Sequence, residues 1–384
     1  MRVGHLVDQM CLANSWFFYR IFTNPAPNLS HAVFCNIQVN SDLFPHPRVQ
    51  SRATSTRVRE LIARRISSRV ASGIAERLSV REWNRFLSNH RPDILHAQDG
   101  KQTVQWLSLI ESTELPLIVT FHGSDINCAT YDEAYLKKLI RLFQRSTKLH
   151  FVSKALRDRA IDLGAPPEKC KVIYLGTPVG EQSIHSHRTD DCVFGIAANL
   201  VPCKGHETLL AAFAQVSKQL LAPRLCIWGD GPLRHHLQWT TQHLGLSKNV
   251  EFYGQLAYSE LQNQIRTQTD VVLLPSQKDD GGSEEGLPMS LCEAASAAVP
   301  CIATDCGGIA ELISHEHTGL LITQRAVSEL ADAMIRLATA PAERRKLGIA
   351  ARKKVLTQMN LDRQLEHISR IYSEVSSINT ANNL

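Results

Sequence analysis

Val271-Val-Leu-Leu-Pro275 and, ten residues further on, Glu285-Gly-Leu-Pro-Met-Ser-Leu-Cys-Glu293 decide how this chain is read. The first run is short and wholly apolar, the pattern of a strand that a parallel sheet buries on both faces. A loop from Ser276 to Ser283 follows, carrying Asp279, Asp280 and the pair Gly281-Gly282. Pro288 then sits where the first turn of a helix tolerates a missing N–H, and Met289 to Ala298 is built from good helix formers. The unit is strand, loop, helix. Glu285 falls in the loop and Glu293 one to two turns inside the helix. Between them a helix start exposes free N–H groups and the positive end of its dipole, which suits a diphosphate. A carboxylate on each side of an anion site is useful if each accepts hydrogen bonds from hydroxyls. A nucleotide sugar presents that order: sugar hydroxyls, diphosphate, ribose hydroxyls. Two glutamates at this spacing also fit a plain helix with an acidic start.

The same alternation runs through the whole chain, with no repeat or low-complexity segment. Strands are expected at Val3–Val7, Val33–Ile37, Ile94–His96, Leu117–Phe121, Leu149–Val152 and Val172–Tyr174. A second set is expected at Val193–Ala197, Leu225–Trp228, Val250–Phe252, Val271–Leu274, Cys301–Ala303 and Gly319–Ile322. Amphipathic segments separate them, and three more helical patterns (326–340, 342–357 and 361–378) close the chain. Alternating strands and helices argue for α/β architecture: two parallel sheets covered on both faces. The polar stretch 177–190, with Pro178 and Gly180, divides the sets. The expected organisation is therefore a first Rossmann-like domain (1–176), a linker (177–190), a second Rossmann-like domain (191–360) and a terminal helical segment (361–384). Ligands of such sheets bind beyond the carboxyl ends of the strands, so chemistry is sought there.

Polar groups do follow the strands. His122-Gly-Ser-Asp125 follows Leu117–Phe121, and His96-Ala-Gln-Asp99 ends another strand. In the second half, Asn199-Leu-Val-Pro-Cys-Lys204-Gly205 precedes a helix from His206, and Gly229-Asp-Gly-Pro follows Leu225–Trp228. Gly254-Gln255 follows Val250–Phe252, and Asp305-Cys-Gly307-Gly308-Ile-Ala-Glu311 follows Cys301–Ala303. In their order and placement these segments, with Glu285 and Glu293, resemble the retaining glycosyltransferases of family 4, which have the GT-B fold: two Rossmann-like domains facing across a cleft. The resemblance covers about His90 to Leu365.

It implies a transferase that moves a sugar from a nucleoside-diphosphate sugar to a glycan or lipid-linked acceptor in polysaccharide biosynthesis. It also implies roles. His122, Lys204 and Glu285 would act in sugar transfer. Asn199, Gly254, Gln255, Gly286, Leu287 and Glu293 would bind the donor. Asn14, Ser15, His96 and Asp125 would lie on the acceptor side. The family usually has an arginine at the position of Asn199, so one of two cations expected on the diphosphate is absent. The stretch Cys11-Leu-Ala-Asn14-Ser15-Trp16-Phe17 likewise lacks the glycines common there. A nucleotide-sugar-binding partner without turnover, and an epimerase on the same fold, are the rival readings. The resemblance implies no metal or other cofactor, and Asp279-Asp280 is not a strong metal motif. The last helix is expected to cross back to the first domain.

Composition fits a globular chain of 384 residues, with 43% hydrophobic and 21% charged residues. No apolar run reaches the roughly 18 residues of a membrane span. The start, Met1-Arg-Val-Gly-His-Leu-Val-Asp8, reads as a first strand rather than a leader, and a cytoplasmic location is expected. The ten cysteines form no Cys-x-x-Cys pair and read as reduced, packed thiols. Net charge is +5, yet 48–85 alone holds ten arginines against three glutamates. With Val58, Ile62, Ile66, Val70, Ile74 and Leu78 recurring every four residues, Val49 to Leu87 is expected to be a helix. Its basic face is either a solvated surface or a contact for an anionic membrane surface, attached peripherally on the inner side. No aromatic pattern accompanies the charge to suggest nucleic acid.

Overall fold

The computed structural model describes residues 1–10, 16–23, 28–38, 45–46, 48–51, 68–179 and 192–382, with side chains left aside at 16–18, 68–76 and 378–382. The chain divides into two compact units. The first comprises Met1–Val152, Arg157–Ile173 and Leu365–Leu384; the second comprises Ser153–Leu156 and Tyr174–Gln364. The first unit's sheet region ends at Ile173 and its terminal segment begins at Leu365, where 176 and 361 were expected. Of the expected linker, 180–190 lies outside the described residues.

The first unit holds seven strands: β1 (Arg2–Met10), β2 (Ser30–Gln38), β3 (Val49–Ser51), β4 (Ile94–Ala97), β5 (Leu117–Phe121), β6 (Lys148–Phe151) and β7 (Cys170–Val172). Their order is β3-β2-β1-β4-β5-β6-β7, and every pairing is parallel. The second unit holds β8 (Val193–Ala197), β9 (Arg224–Trp228), β10 (Val250–Gly254), β11 (Val271–Leu274), β12 (Cys301–Thr304) and β13 (Leu320–Ile322). They run β10-β9-β8-β11-β12-β13, again all parallel. In both sheets the first strand is central and the order reverses beside it, between β1 and β4 and between β8 and β11. That is the doubly wound arrangement, with its ligand crevice at the reversal.

Burial explains the choice of residues. All five residues of β5 and all four of β11 are buried, as expected of strands covered by helices on both faces. On one face of the first sheet Phe34 packs edge-on against Trp83 and Trp106, with Phe86 alongside. On the other, Val3, Val7, Val33, Ile94 and Ile118 form one core cluster with Ile368, Ile371, Tyr372 and Val375. These last four come from the helix Leu361–Asn382, which from Leu365 onward belongs to the first unit.

One expectation is corrected. Val49–Ser51 is not the start of a helix but an edge strand, paired through Val33↔Val49 and Cys35↔Ser51. The parallel ladder with β2 satisfies a backbone whose short, polar sequence carries little strand signal of its own. The helix there is Ser68–His90, whose described end buries Ser79, Glu82, Trp83 and Phe86. Residues 52–67, with five of the ten arginines of the 48–85 stretch, lie outside the described residues.

Candidate functional site

In the second unit the reversal between β8 and β11 is where Lys204 and Glu285 meet. Lys204 ends a single 3-10 turn, Pro202–Lys204, after β8; Glu285 lies in the loop between β11 and the next helix. Lys204 Nζ donates to Glu285 Oε1 at 2.5 Å, and Ser276 Oγ donates to the same oxygen at 2.6 Å. Glu285 is buried and Lys204 largely so. Burial opposes the lysine's charge, but the attraction of Glu285 and its hydrogen bond outweigh this and raise the Lys204 pKa. Ser276 is itself held: its carbonyl accepts from the Thr304 hydroxyl at the end of β12. The carboxylate is thus positioned by groups from the ends of three strands.

Glycines make this packing feasible. A Cβ on Gly307, which has φ +58°, would lie 1.9 Å from the Glu285 carbonyl oxygen; one on Gly308 would lie 1.9 Å from that of Gly286. The pair Gly307-Gly308 is therefore the floor under the Glu285-Gly286 loop. Gly205, with φ +70°, seats the lysine turn against the carbonyl of Pro275 in the same way.

Gly286 and Leu287 lead into the helix Met289–Ser296, whose N-cap Pro288 makes no side-chain cap bond. Its opening N–H groups are left for another acceptor. The Leu287 side chain is buried, so only its backbone is available to a ligand. Glu293 is buried within that helix. Gly254 closes β10 with φ +73°, its carbonyl accepting from Gly229 N, and Gln255 beside it is exposed. Asn199 is exposed on the turn after β8. Asp279 closes its own loop, accepting from Ser283 N at 2.8 Å. Among the described residues no group of three or more His, Cys, Asp or Glu is placed to hold a metal.

The first unit treats its expected site residues unequally. Asn14 and Ser15 lie outside the described residues. His122 follows β5, and burial lowers its pKa to about 4, so it is neutral at physiological pH. Asp125, expected on the acceptor side, is fully occupied in holding the turn. Its carboxylate accepts from Gly123 N (2.9 Å), His122 N (3.2 Å) and Gly100 N (3.2 Å). Tyr135 OH binds its carbonyl at 2.6 Å. Beside this turn is a cavity of about 480 Å³, lined by Lys101, Tyr131, Tyr135 and Lys138 among others.

His96, also expected on the acceptor side, is buried with both ring nitrogens engaged, and so cannot reach a ligand. It belongs to a chain of hydrogen bonds along one face of the sheet. Tyr372 OH lies 2.6 Å from His96 Nδ1, His96 Nε2 is 2.8 Å from Thr120 Oγ1, and Thr120 Oγ1 is 2.9 Å from His150 Nδ1. His150 Nε2 ends it, 2.8 Å from the Ile173 carbonyl. A carbonyl only accepts, so His150 Nε2 carries the proton and Nδ1 accepts from Thr120. Thr120 then accepts from His96 Nε2, and His96 Nδ1 from Tyr372. All four bonds point the same way and both histidines are neutral. His5 and His31 extend the row, Nε2 to Nδ1 at 2.7 Å.

Ser276, Thr304, Thr120, His150 and Tyr372 were not singled out in the sequence. Polar residues at buried strand positions were the available signal: His5, His96, Thr120 and His150 each interrupt an otherwise apolar strand.

A doubly wound pair of parallel sheets with a lysine–glutamate pair at the second reversal defines a class, and comparison with known proteins agrees. Residues 42–180 match the family described as Glycosyltransferase Family 4, and residues 181–354 match Glycosyl transferases group 1. The chain belongs to the family-4-type glycosyltransferases of GT-B fold. It is 28% identical over 245 residues to the amylovoran biosynthesis glycosyltransferase AmsK of Erwinia amylovora, covering 63% of this chain and 60% of that protein. It is 32% identical over 166 residues to a GDP-mannose-dependent phosphatidylinositol monomannoside mannosyltransferase of Mycobacterium tuberculosis, covering 43% of each. The chain thus spans about 60% or less of the length of these relatives. Anabaena HepE, solved with UDP and glucose, shares the fold with a TM-score of 0.77 at 18% identity, over 97% of this chain and all of that one.

Proposed function

We propose that this chain transfers a sugar from a nucleoside-diphosphate sugar to a glycan or lipid-linked acceptor in polysaccharide biosynthesis, with retention at the anomeric carbon. The observation that carries the reading is the 2.5 Å contact of Lys204 and Glu285 at the reversal of the second sheet. On donor binding, Lys204 and the N–H groups opening the helix Met289–Ser296 hold the diphosphate. Glu285, no longer paired with the lysine, accepts from hydroxyls of the sugar, and Glu293 from those of the ribose. Gly254 and Gln255 border the base. As the bond from the anomeric carbon to the phosphate oxygen breaks, Lys204 neutralises the leaving charge. The acceptor hydroxyl attacks from the same face, and its proton passes to the departing phosphate oxygen. Preorganised charge of this kind contributes about 10²–10³ in rate per group. His122, neutral, offers hydrogen bonds rather than charge; with the cavity beside it, it forms the first unit's acceptor side. The lysine and helix start supply the positive charge, so the scheme calls for no resident metal.

AmsK and HepE support a glycan-building role and a uridine nucleotide respectively, and the mannosyltransferase a guanosine one. The test is nucleotide release from uridine- and guanosine-diphosphate sugars with a panel of glycan and lipid-linked acceptors. Lys204→Ala and Glu285→Ala should each fall about a hundredfold or more in kcat; turnover equal to that of the unsubstituted chain would defeat the assignment. Asn199, where the family usually has arginine, favours a second reading, a donor-binding partner without turnover. Donor binding by calorimetry with no product under any acceptor would select it.

A further inference from the structure

At the edge of the first sheet opposite His122, where β1, β2 and β4 begin, is a cavity of about 290 Å³. Its wall includes Arg2, Arg48, Asn89, His90, Arg91 and Pro92. We propose that this cavity is a binding site for a phosphate group, separate from the sugar-transfer site and independent of that reading. Three arginines line it, and Arg2 is balanced by Asp93 at 2.9 Å. Among the described residues Arg48 and Arg91 make no ion pair. The field of Arg48 is felt locally: besides burial, its charge lowers the pKa of both His46 and His90. A guanidinium matches a phosphate with paired parallel hydrogen bonds, which makes arginine suited to this anion.

The backbone sets the position of one of these arginines. The helix Ser68–His90 ends with Arg91 in the left-handed region, φ +43°, its N–H donating to the Leu87 carbonyl at 2.8 Å. That position after a helix is ordinarily glycine, because a Cβ strains it. Here an arginine occupies it, fixed by Pro92 behind, with its side chain on the cavity wall. Ala298, just after the helix Met289–Ser296, also takes a positive φ without being glycine, so the conformation fixes where the Arg91 side chain starts rather than naming its ligand.

The test uses the full chain. Inorganic phosphate and glycerol 3-phosphate are titrated calorimetrically into the unsubstituted protein, Arg91→Gly and the double variant Arg48→Ala/Arg91→Gly. The expected result is binding that weakens as salt rises and a loss of about tenfold or more in affinity in the double variant. Arg91→Gly keeps the unliganded melting temperature at or above its starting value, since glycine adopts this φ freely. Phosphatidylcholine vesicles with and without phosphatidate identify the source. If the ligand is a lipid headgroup, phosphatidate-dependent binding falls in the double variant and glycerol 3-phosphate competes with it. If it is a free phosphate ester, only the soluble titrations separate the proteins. Absence of phosphate binding up to about 10 mM in low salt, or equal affinity in the double variant, overturns the proposal.

Discussion

The hydrogen-bonded row through His96, Thr120 and His150 makes the first unit acid-labile by a calculable amount. Burial drives the pKa values of His31 and His150 from 6.5 to about 4, and that of His122 likewise. Unfolding returns them to about 6.5. A lowered folded pKa means that the unfolded chain takes up protons first, so stability is full above the unfolded value and falls as pH drops toward 4. At pH 5 each such histidine costs about 2 kcal/mol relative to pH 7.5, and three cost at most ~6 kcal/mol. Against a usual native stability of about 5–15 kcal/mol this is decisive. Protonating either His96 or His150 also reverses a bond in the row, since the Tyr372 or Thr120 hydroxyl must then turn its hydrogen away and accept.

Urea denaturation followed by circular dichroism at pH 7.5 and pH 5.0 measures the loss, and His150→Gln isolates one contribution. A glutamine can accept from Thr120 and donate to the Ile173 carbonyl, yet does not titrate. It should lose about 1 kcal/mol at pH 7.5 and show a pH gap smaller by about 2 kcal/mol. If His150→Gln loses as much stability between the two pH values as the unsubstituted chain, the reasoning fails.

Gly307→Ala should displace the Glu285 loop, since the added methyl would sit 1.9 Å from its carbonyl; donor affinity by calorimetry should fall at least about tenfold, with the fold kept by circular dichroism. Tyr372→Phe should cost about 1–3 kcal/mol in urea by leaving His96 Nδ1 without its donor. Glu285→Gln removes the main causes that raise the Lys204 pKa and leaves burial, which lowers it; Lys204 should then react faster with an amine-acylating reagent at pH 8, as mapped by mass spectrometry.

The strands were legible because buried parallel strands announce themselves as apolar runs: Leu117–Phe121, Val193–Ala197 and Val271–Leu274 fall at their expected bounds. β3 was not legible, since Val49-Gln-Ser51 becomes a strand only through its neighbour. Lys204 and Glu285 could be singled out because each lies in a loop that follows a strand, and Glu293 by its spacing from Glu285 into the helix Met289–Ser296. Ser276 could not, as its role depends on the exact path of a loop. His96 looked like a ligand-facing residue until the register His5↔His96 and Thr120↔His150 showed its partners, which no single strand's sequence contains.

The helix Leu361–Asn382 has a consequence for biosynthesis. Ile368, Ile371, Tyr372 and Val375 complete a hydrophobic cluster whose other members include Val3 and Val7, far earlier in the chain. As the ribosome works from the amino end, the earlier-made half must wait, incompletely sealed, until residues 368–375 have been translated. The second half, whose six strands lie between 193 and 322, has its whole sheet in hand before then.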